Sequence, residues 1–127
     1  MTRLDDASAR KVFDEVAAKD ALVARRFADQ MPAEASEATM RRVIAEIEAG
    51  TPNYDAMNPE LAAATRRQLP RLKAIFANLG GLKSVTFRIV ERSGMDIYVV
   101  EFRNGETEWR ILKSPKGKID RLGFQPM

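Results

Sequence analysis

The chain contains no cysteine and no histidine. Without cysteine there is no disulfide staple, no thiolate metal site and no cysteine nucleophile. Without histidine the commonest general base near neutral pH and the commonest metal ligand are missing as well. Chemistry would have to come from carboxylates, tyrosine, lysine, serine or threonine, and neither a Ser/His/Asp nor a Cys/His arrangement can be assembled. No apolar run approaches the roughly 20 residues that span a bilayer. The opening stretch MTRLDDASARKVFDEV lacks the apolar centre of a signal peptide. The expectation is a cytoplasmic protein as written, or a periplasmic or secreted one if a signal has been trimmed. No phosphate-cradling glycine loop is present either, because Gly80-Gly81 precedes a strand and lacks the required spacing.

What is there suits one folded domain over 1–127. A chain of 127 residues with 45% hydrophobic residues is long enough to bury a core. The 21 basic residues are interspersed with 18 acidic ones, without the basic stripe and interleaved aromatics that mark nucleic-acid binders. The doublets Arg25-Arg26, Arg41-Arg42 and Arg66-Arg67 fall on predicted helices close to acidic residues and read as solvated faces. Neither nucleic acid nor membrane is an expected partner, and no cofactor or metal is implied.

The first half reads as helix. Asp5-Asp6 can cap a segment in which Val12, Phe13, Val16, Val23, Phe27 and Met31 recur at helical spacing, with a break near Lys19-Asp20 left open and Pro32 as the stop. A second helix starts at Ser36, gathers Met40, Val43, Ile44 and Ile47 on one face, and ends at Gly50. Tyr54 and Met57 are large for a loop and should tuck under a helix. The third helix has Asn58 as N-cap and Pro59 at its first position. Its stripe is Leu61, Leu69, Leu72, Ile75, Phe76 and Leu79. Pro70 should kink it by freeing the carbonyl of Arg66.

Beyond Gly80-Gly81 come four alternating runs, LKSVTFRIV, DIYVVEF, TEWRIL and KIDRLGF, with turns at Ser93-Gly94, Asn104-Gly105 and Lys116-Gly117. Two-residue hairpin loops would set Ile89 against Tyr98, Phe87 against Val100 and Val85 against Phe102. The second hairpin would set Tyr98 against Ile111 and Val100 against Trp109. The third would set Ile111 against Leu122 and Trp109 against Phe124. Pro115 cannot donate to a ladder, so the last turn should be longer or bulged. The result is a four-stranded antiparallel meander with one apolar face, which the third helix alone is long and amphipathic enough to cover: an α+β fold of N-terminal helices on a curved sheet.

The same register sorts the other groups. Outward rows are Thr86, Glu101, Glu108 and Gln125; then Arg88, Val99, Arg110 and Gly123; then Val90, Ile97, Leu112 and Arg121. Their first reading is a solvated charge lattice; the other makes Arg88, Val90, Ile97, Val99, Glu101, Glu108, Arg110 and Leu112 interface candidates, an apolar strip beside paired charges. At the hairpin end of the inward face the register aligns Glu91, Asp96, Lys113 and Asp120. That row could bind a cation through oxygen or raise one carboxyl pKa by like-charge repulsion, or be a solvated rim. Tyr98 and Trp109 point inward and could line a ligand pocket with Tyr54, Met57, Arg67, Gln68 and Thr107, or be core aromatics with satisfied polar tips.

The stretch GTPNYDAMNPELAAATRRQLPRL, followed by LGGLKSVTF, DIYVVEF, EWRI and GKI, resembles a bacterial accessory domain of cystatin-like (NTF2-like) fold. Such a domain is appended to serine hydrolases of the penicillin-binding/β-lactamase class or occurs alone in exported proteins. The resemblance covers residues 36–125. By it, Tyr54, Met57, Arg67, Tyr98, Glu108, Trp109 and Arg110 match characteristic positions. It implies a helix-wrapped curved sheet, often paired through the sheet, with no established activity. The chain departs from it at RIVERSGMD and at SPKGK, which leaves the hairpin-end row without family support, and hydrolytic activity is not carried over. The expected function is a non-catalytic interaction module, homodimeric through the outer sheet face. The alternative is a small-ligand binder or isomerase-like protein that takes a small apolar molecule between helix and sheet.

Overall fold

The computed structural model of the protein describes residues 21–114 and 116–127. Asp5-Asp6, Val12, Phe13, Val16, Lys19-Asp20 and Pro115 lie outside them. Residues 21–29 are helical (α1), followed by α2 (Ser36–Ala49), a single 3-10 turn (Tyr54–Ala56), α3 (Pro59–Leu79) and strands β1 (Leu82–Val90), β2 (Asp96–Phe102), β3 (Gly105–Lys113) and β4 (Ile119–Pro126). The strands form one antiparallel sheet in the order β1-β2-β3-β4. The fold is α+β, helices packed with a four-stranded meander.

The helix ends follow from their caps. Asn58 Oδ1 accepts from the Leu61 amide at 2.8 Å, with Pro59 next to it at the first helical position. The same residue ties α3 to the sheet: its amide nitrogen donates to the Ile119 carbonyl at 2.9 Å and its Nδ2 to the Asp120 carbonyl at 2.8 Å. Gly50 ends α2 at φ +77°, where Lys73 Nζ would stand 3.0 Å from any Cβ. A side chain there would meet both backbone strain and that ammonium, which reaches a helix whose last turn has no basic residue of its own. α3 runs through Pro70 without a break in its helical assignment.

Met40, Val43, Ile44 and Ile47 of α2 are fully buried, whereas of the expected α3 stripe only Phe76 is; Leu61, Leu69, Leu72, Ile75 and Leu79 are half-buried around it. The apolar sheet face is thus covered by α2 as much as by α3, which corrects the expectation of a single covering helix. Phe76 is the hub. Its ring lies 5.6–5.9 Å from those of Phe102, Trp109 and Phe124, while Trp109 and Phe124 stack at 4.5 Å. Such pairings add to the area these rings withdraw from water. Among the described residues of the expected first stripe, Phe27 and Met31 are exposed and Val23 is half-buried.

The third hairpin has the expected pairs, Ile111 with Leu122 and Trp109 with Phe124, and a bulge between Leu112 and Lys113 lengthens its turn. The first two hairpins differ. Phe87 pairs with Tyr98 and Val85 with Val100 in place of Ile89–Tyr98, Phe87–Val100 and Val85–Phe102. In the second, Tyr98 pairs with Trp109, Val100 with Thr107 and Asp96 with Ile111. The cause lies in the turns. Phe102 pairs with Gly105, so Arg103-Asn104 form the loop and the glycine belongs to β3. Val90 pairs with Asp96, so Glu91–Met95 form the first loop. A bulge between Phe87 and Ile89 then reverses the end of β1: Val90 is 1% exposed and Ile89 42%.

Candidate functional site

The inward face is filled. Tyr98 and Trp109 are 0% exposed and Thr107 1%. Thr107 Oγ1 donates to the Val100 carbonyl at 3.0 Å and accepts from Trp109 Nε1 at 2.8 Å. The polar tips of two candidate pocket residues therefore satisfy each other inside the core. Met57 is also buried, and its neighbour Tyr54 is half-buried, with the Arg66 guanidinium 4.4 Å from its ring centre. Arg67 and Gln68 are exposed on the outer side of α3. These seven residues do not line one cavity.

Tyr98 is the exception to the satisfied core. Its hydroxyl neighbours the Ser36 side chain, yet neither oxygen completes a hydrogen bond among the described residues. Burial pushes the phenol above its ordinary pKa, the Ser36 hydroxyl opposes that, and the negative charges of Asp96 and Glu37 add to it.

The expected row of Glu91, Asp96, Lys113 and Asp120 is dispersed. Asp96 is buried and accepts from Arg26 Nη1 and from the Ala33 amide, each at 2.9 Å. Arg26 Nη2 donates to the Gly94 carbonyl at 2.9 Å. Glu91 pairs with Arg110 at 3.2 Å, and Lys113 Nζ donates to the Glu34 carbonyl at 3.0 Å. Asp120 is engaged through its backbone by Asn58. Their alignment required a register that the first two hairpins do not have. No group of three His, Cys, Asp or Glu residues among the described residues could hold a metal ion. The Arg26–Asp96 pair is invisible in the sequence, because nothing local links residues 70 apart.

The outer face is a lattice of ion pairs. Arg88 reaches Glu108 at 2.7 Å, Arg110 reaches Glu91 at 3.2 Å and Glu108 at 3.6 Å, and Lys83 reaches Glu101 at 3.7 Å. Glu101 faces Glu106 rather than Glu108, which faces Val99. Arg88–Glu108 and Arg110–Glu91 join the first strand and its loop to β3, so both cross β2. Ile97 lies beneath that crossing, paired with Ile89 and Arg110 and 3% exposed. The expected strip of Val90, Ile97 and Leu112 is corrected accordingly: Val90 turns inward at the bulge and Ile97 is roofed. Val99 and Leu112 remain half-buried on the open face. Gly123, paired with Arg110, has empty space where a side chain would stand. A surface groove of about 820 Å³ opens there, lined in part by Leu61, Arg110, Leu112 and Leu122.

Comparison with protein-family models, with curated proteins and with solved structures finds no match. No helix among the described residues is long and apolar enough to cross a membrane.

Proposed function

We propose that the chain is a non-catalytic interaction module of cystatin-like/NTF2-like type that pairs with a second copy of itself through the outer sheet face. The observation that carries this reading is the closed interior: Tyr98, Thr107 and Trp109, the centre of the candidate ligand pocket, are at most 1% exposed. Recognition then falls to surfaces. The outer face supports it best, because α2 and α3 pack their apolar residues against the opposite one. Val99 and Leu112 offer apolar contact, Arg88 and Arg110 ring them with charge, and the empty position at Gly123 leaves a notch into which a partner side chain fits. A two-fold pairing would set the same patch on both copies.

Leu112→Glu tests the reading. A carboxylate at the centre of a self-complementary patch faces its own copy and should shift the sedimentation coefficient from dimer to monomer, with the thermal midpoint little changed. An unaltered coefficient for this variant would place the contact elsewhere.

A further inference from the structure

The three arginine doublets, alike in sequence, have different fates in the structure. Arg26 is taken by Asp96, and Arg41 and Arg42 pair along their own helix with Glu37 and Glu46 at 3.6 and 3.4 Å. Arg66 and Arg67 have no carboxylate partner among the described residues, and neither do Arg71 and Lys73 further along the same helix. All four are exposed. With Glu60 as its one acid, α3 has a net charge of +3, which equals the formal charge of the entire chain. The remaining basic and acidic residues cancel. The exposed side of α3 therefore carries four cations against a single carboxylate on the helix.

We infer that the exposed face of α3, built on Arg66, Arg67, Arg71 and Lys73, is a docking surface for a carboxylate-rich segment of a partner protein. Three of the four cations are arginines, whose planar forks suit bidentate pairing with carboxylates. Arg66 is held in place by its stack on Tyr54. Between the cations stand Pro70 and Ala74, with Ala63 and Ala77 beyond them, so a partner backbone can approach closely. The face has no exposed large apolar residue to enter a lipid surface. A nucleic-acid site would call for a basic groove with stacking aromatics. Here the surface is one helix side, and its adjacent aromatic is already covered by Arg66. This surface goes beyond the proposed self-pairing and stands whether or not the outer sheet face dimerises.

The test is fluorescence anisotropy of a labelled oligo-glutamate peptide titrated with the full chain at low and moderate salt. The wild type should bind, and more weakly as salt screens the contact. Arg67→Glu with Arg71→Glu should weaken binding at least about tenfold. Arg41→Glu with Arg42→Glu makes the same change in net charge on α2 and should leave binding as it was. If the first variant does not fold, Arg67→Gln with Arg71→Gln replaces it with the same expected direction. No binding by the wild type, or equal weakening by the α2 and α3 variants, overturns the inference. Tighter binding to a single-stranded oligonucleotide or to anionic phospholipid vesicles than to the peptide overturns it as well.

Discussion

Arg26 and Asp96, 70 residues apart in sequence, meet in an ion pair of 2.9 Å that fastens α1 to the start of β2. The carboxylate is 1% exposed and the guanidinium 12%, so neither charge is freely hydrated. The other Asp96 oxygen accepts from the Ala33 amide, which fixes the turn between α1 and α2 as well. Within the described part of α1, Leu22 and Phe27 are exposed and Val23 is half-buried, so this polar contact is a main tie between that segment and the sheet.

Asp96→Ala should therefore cost about 3 kcal/mol, the range expected when one partner of a buried pair is removed. It strands the guanidinium and the Ala33 amide together. Urea denaturation measures it, and a loss below about 0.5 kcal/mol, typical of a surface pair, would show that the contact holds nothing.

Gln30 carries a second fastening. Its Oε1 accepts from the Val90 amide at 3.1 Å and its Nε2 donates to the Val90 carbonyl at 3.3 Å, so one carboxamide occupies both backbone groups at the end of edge strand β1. Gln30→Ala should expose them, with a loss of about 1 kcal/mol and faster amide exchange at Val90 than in the wild type. Unchanged exchange at that amide would assign its protection to something other than Gln30.

Tyr98→Phe should be close to neutral in stability at pH 7, because the hydroxyl it removes completes no hydrogen bond among the described residues. The alkaline side should differ. Burial raises the folded pKa of Tyr98 above the ordinary 10.0, so the unfolded chain loses this proton first. The stability from the protonated phenol is complete below about pH 10 and declines as pH rises towards the folded value. The phenylalanine variant should lack that part of the decline. Parallel stability curves for the two proteins between pH 9 and 11 would contradict it.

The sequence carried the helix ends and the two faces of the sheet better than the pairs between strands. Asn58, Pro59 and Gly50 act locally, so their roles are visible in a short window. Hairpin pairing depends on loop length, and a glycine does not say whether it is a loop residue, as in the expectation for Gly105, or the first residue of a strand, as found. Because side chains alternate every second residue, a shift of two changes partners yet keeps faces. That is why Tyr98, Trp109 and Ile111 face inward as expected while their partners across the first two hairpins differ. The bulge between Phe87 and Ile89 shifts by one, and there the faces failed, exchanging Ile89 and Val90.

The candidate site was legible to the same degree. Arg88, Glu101, Glu108 and Arg110 stand on the outer face as expected, because parity put them there. Their pairing was not, since arginines long enough to cross a strand choose among several carboxylates. The hairpin-end row failed because it required pairs between strands, not only faces. Arg66 and Arg67 look like Arg41 and Arg42 in sequence. The difference is that Glu37 and Glu46 stand four residues away on α2, whereas α3 offers no acid beyond Glu60.

The central claim is self-pairing through the outer face, and light scattering of the wild-type chain eluting from a sizing column measures it most directly. Pairing predicts a mass approaching twice 14.2 kDa at tens of micromolar, falling toward the single-chain value on dilution. A constant mass of 14.2 kDa across that range would contradict it.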